Sequence, residues 1–189
     1  MKRNVLIVGA GGVAHVAAHK FAQNNDLFGD IYIASRSIEA CEAVLKSIER
    51  KNNYKIPSKT IKAMTCDALN IEEMKKIIKD KDISIVVNLA SAFCNMSILE
   101  ACIETGSAYI DTAIHEDPSK VCENPPWYGN YEWKRKDRCK ANGITAVLGS
   151  GFDPGVVNAY AAYAKKHFFD TIDTSWRSEE RRVGKECRS

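Results

Sequence analysis

Short apolar runs alternate with amphipathic segments along the first two thirds of the chain. The run Asn4 to Val8 has the unbroken branched character of a strand buried on both faces. Gly11 to Asn25 follows as a helix, with Val13, Val16, Ala17 and Phe21 forming its apolar face. The same reading gives a strand at Ile31 to Ala34 and a helix at Glu39 to Lys51, then a polar turn through Asn52, Asn53 and Pro57. Thr60 to Thr65 is a third strand, Ile71 to Lys79 a helix, and Ile83 to Leu89 a fourth strand apolar enough to be central. Met96 to Thr105 reads as a helix and Ala108 to Ile110 as a short strand. Strand and helix alternating in this way predict an α/β fold, a doubly wound parallel sheet with helices on both faces.

After Asp111 the pattern loosens. His115 to Gly129 holds three of the five prolines and reads as a loop. A helix is expected over Tyr131 to Ala141 and a strand over Ile144 to Leu148, joined by the turn Asn142-Gly143. In Gly149-Ser-Gly-Phe-Asp-Pro-Gly155, Asp153 is expected as N-cap and Pro154 as first residue of a helix reaching about His167, with another strand beginning at Asp170 to Trp176. The division expected is a nucleotide-binding domain over 1–150 and a connection over 151–176 into a second α/β domain that is truncated.

The last thirteen residues, RSEERRVGKECRS, have neither periodicity nor an apolar face. They resemble the in-frame translation of a sequencing-library adapter, so 177–189 are expected to be foreign to the protein; the alternative is a charged, disordered natural tail. Without their five basic and three acidic residues, 27 and 24 become 22 and 21, and the formal charge falls from +3 to +1. The basic balance therefore gives no reason to expect a nucleic-acid partner. The run Val5 to Val8 is too short for a signal-peptide core, and no apolar stretch approaches the roughly 18 residues of a membrane span. The seven cysteines are scattered without a C-x-x-C pair or a histidine at zinc spacing, so reduced thiols, no metal site and a cytoplasmic location are expected.

The chemistry enters at the end of the first strand. Gly9-Ala10-Gly11-Gly12-Val13-Ala14 is a G-x-G-x-x-A turn opening a helix. Its first glycine permits the tight turn, the second lets backbone amides approach a pyrophosphate, and the small third position lets the helix pack on the strand. At the end of the second strand, where NAD-binding folds carry an acidic residue for the ribose 2′-hydroxyl, this chain has Ser35-Arg36-Ser37. A guanidinium and hydroxyls suit a 2′-phosphate, so NADP(H) is the cofactor expected. By position, Asp67 and Ala68 fall where an adenine could rest, and Asn88 and Leu89 where the nicotinamide crevice should open, although Asn88 could equally cap a helix. A methyltransferase reading of the glycine turn is weakened because Ser35-Arg36 offers no carboxylate to ribose hydroxyls.

Val5-Leu-Ile-Val-Gly-Ala-Gly-Gly-Val13, Ala34-Ser-Arg36, Glu100-Ala-Cys102 through Thr105-Gly106, Tyr109-Ile-Asp-Thr-Ala113 and Gly149 to Asn158 together resemble the saccharopine dehydrogenase family. The likeness covers residues 4 to 173 and is strongest to the carboxynorspermidine- and carboxyspermidine-forming branch. It implies an NADPH-dependent oxidoreductase acting on C–N bonds, in which aspartate β-semialdehyde and a diamine form an imine that is reduced to a secondary amine. It also implies a homodimer and a chain about twice this length. The sequence departs from the family pattern after Leu89, where Ala90-Ser-Ala-Phe93 replaces a proline-aromatic pair. A non-catalytic NADP-binding or sensing module remains the alternative, because fold alone does not establish activity.

Catalytic residues stay unassigned. Asp111, His115, Glu116 and Asp117 lie where open α/β sheets place ligands, His115 as a possible proton donor and Glu116 or Asp117 as a possible ammonium partner. His115, Glu116 and Asp117 are also ordinary loop residues, Asp153 is first a helix cap, and His15 and His19 need only be surface or packing residues of the first helix.

Overall fold

The computed structural model describes residues 2–51, 61–115 and 129–172. Its six strands are β1 (Arg3–Val8), β2 (Phe28–Ser35), β3 (Ile61–Thr65), β4 (Ile83–Asn88), β5 (Ala108–Asp111) and β6 (Ala146–Val147). All neighbours pair in parallel, in the order β3-β2-β1-β4-β5-β6. The helices are α1 (Gly12–Gln23), α2 (Ile38–Arg50), α3 (Ile71–Asp80), α4 (Asn95–Thr105), α5 (Asn130–Trp133), α6 (Lys136–Ala141) and α7 (Val156–His167), with a 3-10 turn at Ala92–Cys94. Sheet order reverses between β1 and β4, which opens a crevice at the carboxyl ends of those two strands.

Alternation along the strands divides the core between the two faces. Val5 and Ile7 of β1 join Ile31 and Ile33 of β2 beneath α1 and α2, where Ala14, Ala18, Val44 and Ile48 meet them. Leu6 and Val8 turn the other way with Tyr32 and Val86, against Met74 and Ile78 of α3 and Ile98, Leu99 and Ile103 of α4. Burial on both faces explains why β1 reads as one continuous apolar run. Local caps fix the helix starts. Ser37 Oγ accepts the Ala40 N–H at 3.2 Å to begin α2, and Asn70 Oδ1 accepts the Glu73 N–H at 3.1 Å to begin α3. Gly106, at φ 78°, closes α4 in a left-handed conformation.

Several boundaries differ from the sequence expectation. On α1 the buried residues are Ala14, Ala18 and Ala22, while Val13 and Val16 are exposed. Three alanines at four-residue spacing let the helix lie close on the sheet, which larger side chains would prevent. The helix expected over Tyr131 to Ala141 is two short helices. The Tyr131 carbonyl, which the Arg135 N–H would take in a continuous α-helix, instead accepts the Arg135 guanidinium at 2.7 Å, and that N–H turns to the Glu132 carbonyl. The strand expected over Ile144 to Leu148 contracts to Ala146–Val147 at the sheet edge. Asp153 is not a cap: α7 begins at Val156 with Gly155 before it, where Asn158 Oδ1 accepts the Gly155 N–H at 3.0 Å. The Pro154 carbonyl accepts from the Gly151 N–H, so the chain closes a small loop there before the helix starts. Residues 170–172 carry no strand, and residues 173–176, the polar turn at 52–57 and Thr60 lie outside the described residues. No helix among the described residues is long and apolar enough to cross a membrane.

Candidate nucleotide cleft

A cavity of about 460 Å³ opens at the crevice between β1 and β4. Of the residues expected to hold a nucleotide, Gly9, Gly11, Ser35, Arg36, Asp67, Ala68 and Leu89 line it together. They come from four different strand ends, brought side by side by the parallel register, in which Val8 pairs with both Ala34 and Asn88. Val8, Ala10, Cys66, Leu69, Ala90, Ser91, Phe93 and Cys94 complete the wall. These eight flank the expected segments; Ala10 falls within the glycine turn and Ala90, Ser91 and Phe93 within the departure after Leu89, while the others are marked in the sequence only by their place at or beside a strand end.

The other expected residues stand apart from that wall. Gly12 and Val13 are exposed in the first turn of α1, and Ala14 is buried beneath it. Ser37 caps α2 and donates its hydroxyl to Glu39 Oε2 at 2.7 Å. Asn88 is buried, and its side chain is committed inward. Its Nδ2 donates to Asn95 Oδ1 at 2.8 Å and to Tyr109 Oη at 3.0 Å, and its Oδ1 accepts the Ala90 N–H at 3.1 Å. Asn88 thus shapes the turn that follows β4 rather than facing the cavity.

Three features of the cleft fit a dinucleotide carrying an extra phosphate. Gly9 sits at φ 114°, and a Cβ there would lie 2.7 Å from the Leu89 carbonyl oxygen, so only glycine allows β1 to turn this close to the end of β4. Gly11 and Gly12 face open space, and the start of α1 has no side-chain cap and no acid in its first turn. Its leading amides and positive helix end are therefore available to an anion. Arg36 is the cation on the β2 side of the wall, close enough to Cys94 to oppose the upward push that burial gives that thiol. Burial, reinforced by the acidic Glu73 and Asp67, pushes the Cys66 thiol up to about 12, so it stays protonated and unreactive.

Behind the loop after β4 lies a second polar group, around the end of β5. Asp111 Oδ1 accepts the Gly149 N–H at 2.6 Å, and its Oδ2 accepts from Tyr109 Oη at 2.8 Å and from Asn95 Nδ2 at 3.3 Å. Burial raises the Asp111 carboxyl to about 6 against the stabilising donors Gly149 and Tyr109, and Glu132 adds to the rise. The Tyr109 hydroxyl is pushed well above its ordinary range by burial and by Asp111. Asp111 is thus a clamp between β5 and the Gly149 loop, with both of its oxygens accepting hydrogen bonds.

His115 is half-buried beside it. Its backbone N–H donates to Glu132 Oε1 at 2.6 Å, its Nδ1 lies 3.0 Å from the Ala92 carbonyl, and its ring meets Tyr131 edge-on at 4.9 Å. A carbonyl can only accept, so Nδ1 carries a proton there. Glu132 was not among the expected residues; as one glutamate in a polar segment it carries no distinguishing pattern. Glu116 and Asp117 lie outside the described residues, and Asp153 is exposed on its loop. His15 and His19 stack on α1 with ring centroids 5.3 Å apart, and His19 Nε2 lies 3.1 Å from Ser47 Oγ on α2. That pair belongs to the packing of two helices, away from the cleft. Among the described residues no group of three histidine, cysteine or acidic side chains could hold a metal ion.

A six-stranded parallel sheet in this order, with a glycine turn at its switch point, is a Rossmann dinucleotide-binding fold. Residues 5–147 match the saccharopine dehydrogenase NADP binding domain, and the chain belongs to that family; its nucleotide is NADP(H). The carboxynorspermidine synthase of Vibrio cholerae is 45% identical over 171 residues, covering 90% of this chain and 41% of the relative. The carboxyaminopropylagmatine dehydrogenase of Synechocystis is 37% identical, covering 89% of this chain and 39% of the relative. The chain therefore spans about two fifths of the length of these curated relatives. The solved saccharopine dehydrogenase (L-Glu forming) of Saccharomyces cerevisiae superposes with a TM-score of 0.64 at 19% identity, over 87% of this chain and 31% of that one, a likeness of fold.

Proposed function

We propose that the protein is the cofactor-holding part of an NADPH-dependent oxidoreductase that condenses aspartate β-semialdehyde with a diamine and reduces the resulting imine to a secondary amine, a reading supported by relatives named carboxynorspermidine synthase. The observation that carries this reading is the cavity that joins the glycine turn to Ser35 and Arg36 in a chain of this family. Gly9, Gly11 and the first-turn amides of Gly12, Val13 and Ala14 hold the pyrophosphate. Ser35 and Arg36 hold the 2′-phosphate, with Arg36 supplying the charge, while Ser37 starts α2 beside them. Asp67 and Ala68 border the adenine, while Leu89 walls the nicotinamide end and Asn88 supports it by fixing Ala90. When bound, NADPH supplies the hydride. The protein's own work is to orient it, to exclude water and to hold the amine and carboxylate of the substrates in register. The whole protein is proposed to act as a cytoplasmic homodimer.

The test is NADPH oxidation by the full-length protein with aspartate β-semialdehyde and a panel of 1,3-diaminopropane, putrescine and agmatine. Turnover that needs both the aldehyde and an amine is expected. NADPH binding without turnover on any pair would contradict the enzyme reading and favour a sensing module.

A further inference from the structure

Among the described residues, the one buried side-chain oxygen or nitrogen without a hydrogen-bond partner is Oε2 of Glu132, on a side chain only 3% exposed. Its other oxygen is engaged by the His115 backbone at 2.6 Å. A carboxylate oxygen shut from water and left unmatched is costly, and native structures keep such groups where something else completes them. On the same segment Lys134, Lys136 and Lys140 are exposed, and the two arginines are spent elsewhere. Arg135 Nε reaches Glu100 Oε1 at 2.6 Å, and Arg138 reaches Glu100 Oε2 at 2.7 Å. Asp111 lies close enough for the negative charge of Glu132 to raise it, and its own oxygens are already filled by Gly149, Tyr109 and Asn95. Among the described residues neither carboxylate forms an ion pair. The free oxygen therefore calls for a cation that these residues do not supply.

Its position narrows the source. Glu132 holds the backbone of His115, and His115 donates through Nδ1 to the carbonyl of Ala92, in the turn whose neighbours Ser91 and Phe93 wall the cleft. The run of contacts from Glu132 through His115 to Ala92 thus ends at the turn that walls the nicotinamide side of the cavity. An amine that attacks an aldehyde must be unprotonated, so the group that meets a carboxylate there is the other, protonated amine of the same molecule. We propose that Glu132 anchors the distal ammonium of a diamine substrate and so selects diamines over monoamines. This rests on the imine-reducing reading above.

The experiment compares 1,3-diaminopropane with propylamine, which has the same carbon count and lacks the distal ammonium, in NADPH oxidation by the full-length protein. The wild type is expected to prefer the diamine by about 100-fold in kcat/KM, the scale of a charge-assisted hydrogen bond. Glu132→Gln is expected to raise KM for the diamine by about 30-fold or more, with propylamine turnover and KM for NADPH changed by less than about 2-fold. Glu132→Asp is expected to recover part of the preference. Equal loss on both amines, or loss on neither, would overturn the assignment. So would a wild type that uses propylamine as well as the diamine, a result that does not depend on how the variants fold. If no amine supports NADPH oxidation, the imine-reducing reading and this inference both fall; if amines do and Glu132→Gln is not selective, only this inference falls.

Discussion

Around β1 the chain buries every residue from Val5 to Val8, and helices cover both faces of the sheet. At the other end α7 buries none of its twelve residues, and Tyr160, Tyr163, Phe168 and Phe169 stand 57–69% exposed on or just after it. Both regions are rich in apolar side chains, so hydrophobic content does not separate them. What separates them is whether a second surface is present to take the side chains out of water. In the first region strands and helices supply that surface to one another, and the nucleotide cleft stands on a closed core. In the second, nothing among the described residues covers the helix, and an apolar patch of this kind marks a contact surface.

The contrast is open to breaking by substitution. Leu6→Ala, in the closed region, is expected to lower unfolding free energy by about 2–5 kcal/mol in denaturant titration, the usual cost of a buried large-to-small change. A loss below about 1 kcal/mol would mean the core is loosely packed. Asp111 tests the seam between the two regions. Its folded pKa, about 6, lies above the reference 3.8, so the clamp is most stabilising below pH 3.8 and that contribution is lost as pH rises through about 6. Relative to Asp111→Asn, the wild type is expected to lose on the order of 2–3 kcal/mol between pH 3.8 and 6.5, as one pKa unit is about 1.4 kcal/mol. A difference between the two that stays constant with pH would contradict the buried assignment. Gly9→Ala forces a side chain into a φ of 114° against Leu89, and a stability loss of about 1–3 kcal/mol is expected together with weaker NADPH binding. The smallest effect belongs to the uncovered helix: Tyr160→Ala in this chain is expected to change stability by less than about 0.5 kcal/mol. A larger loss would show that α7 is packed after all.

Legibility from sequence follows the same division. The alternation that places β1 to β5 and α1 to α4 is generated by a core contained within those elements, so each period could be read from the run itself. Where side chains serve geometry rather than burial, the apolar period misplaces them. The α1 face went to Ala14, Ala18 and Ala22 because close approach to the sheet outweighed hydrophobicity. The break between α5 and α6 depends on one guanidinium taking a backbone carbonyl, and the late start of α7 on a loop closed through Gly151 and Pro154. Neither carries a periodic signal. Of the cleft, the glycine turn and Arg36 were legible as motifs. The inward commitment of Asn88 and the unmatched oxygen of Glu132 depend on Asn95, Tyr109 and His115, partners that only the fold brings near.

The nucleotide preference of the cleft is decided most directly by titrating the full-length protein with NADPH and NADH, in wild type and in Arg36→Ala, by fluorescence. NADPH is expected to bind at least about 10-fold more tightly than NADH. Loss of the guanidinium is expected to weaken NADPH by about 10–100-fold with less than about 2-fold change for NADH, the worth of a charge-assisted contact to phosphate. Equal affinities in the wild type, or equal losses in the variant, would contradict the assignment of Arg36 to the 2′-phosphate.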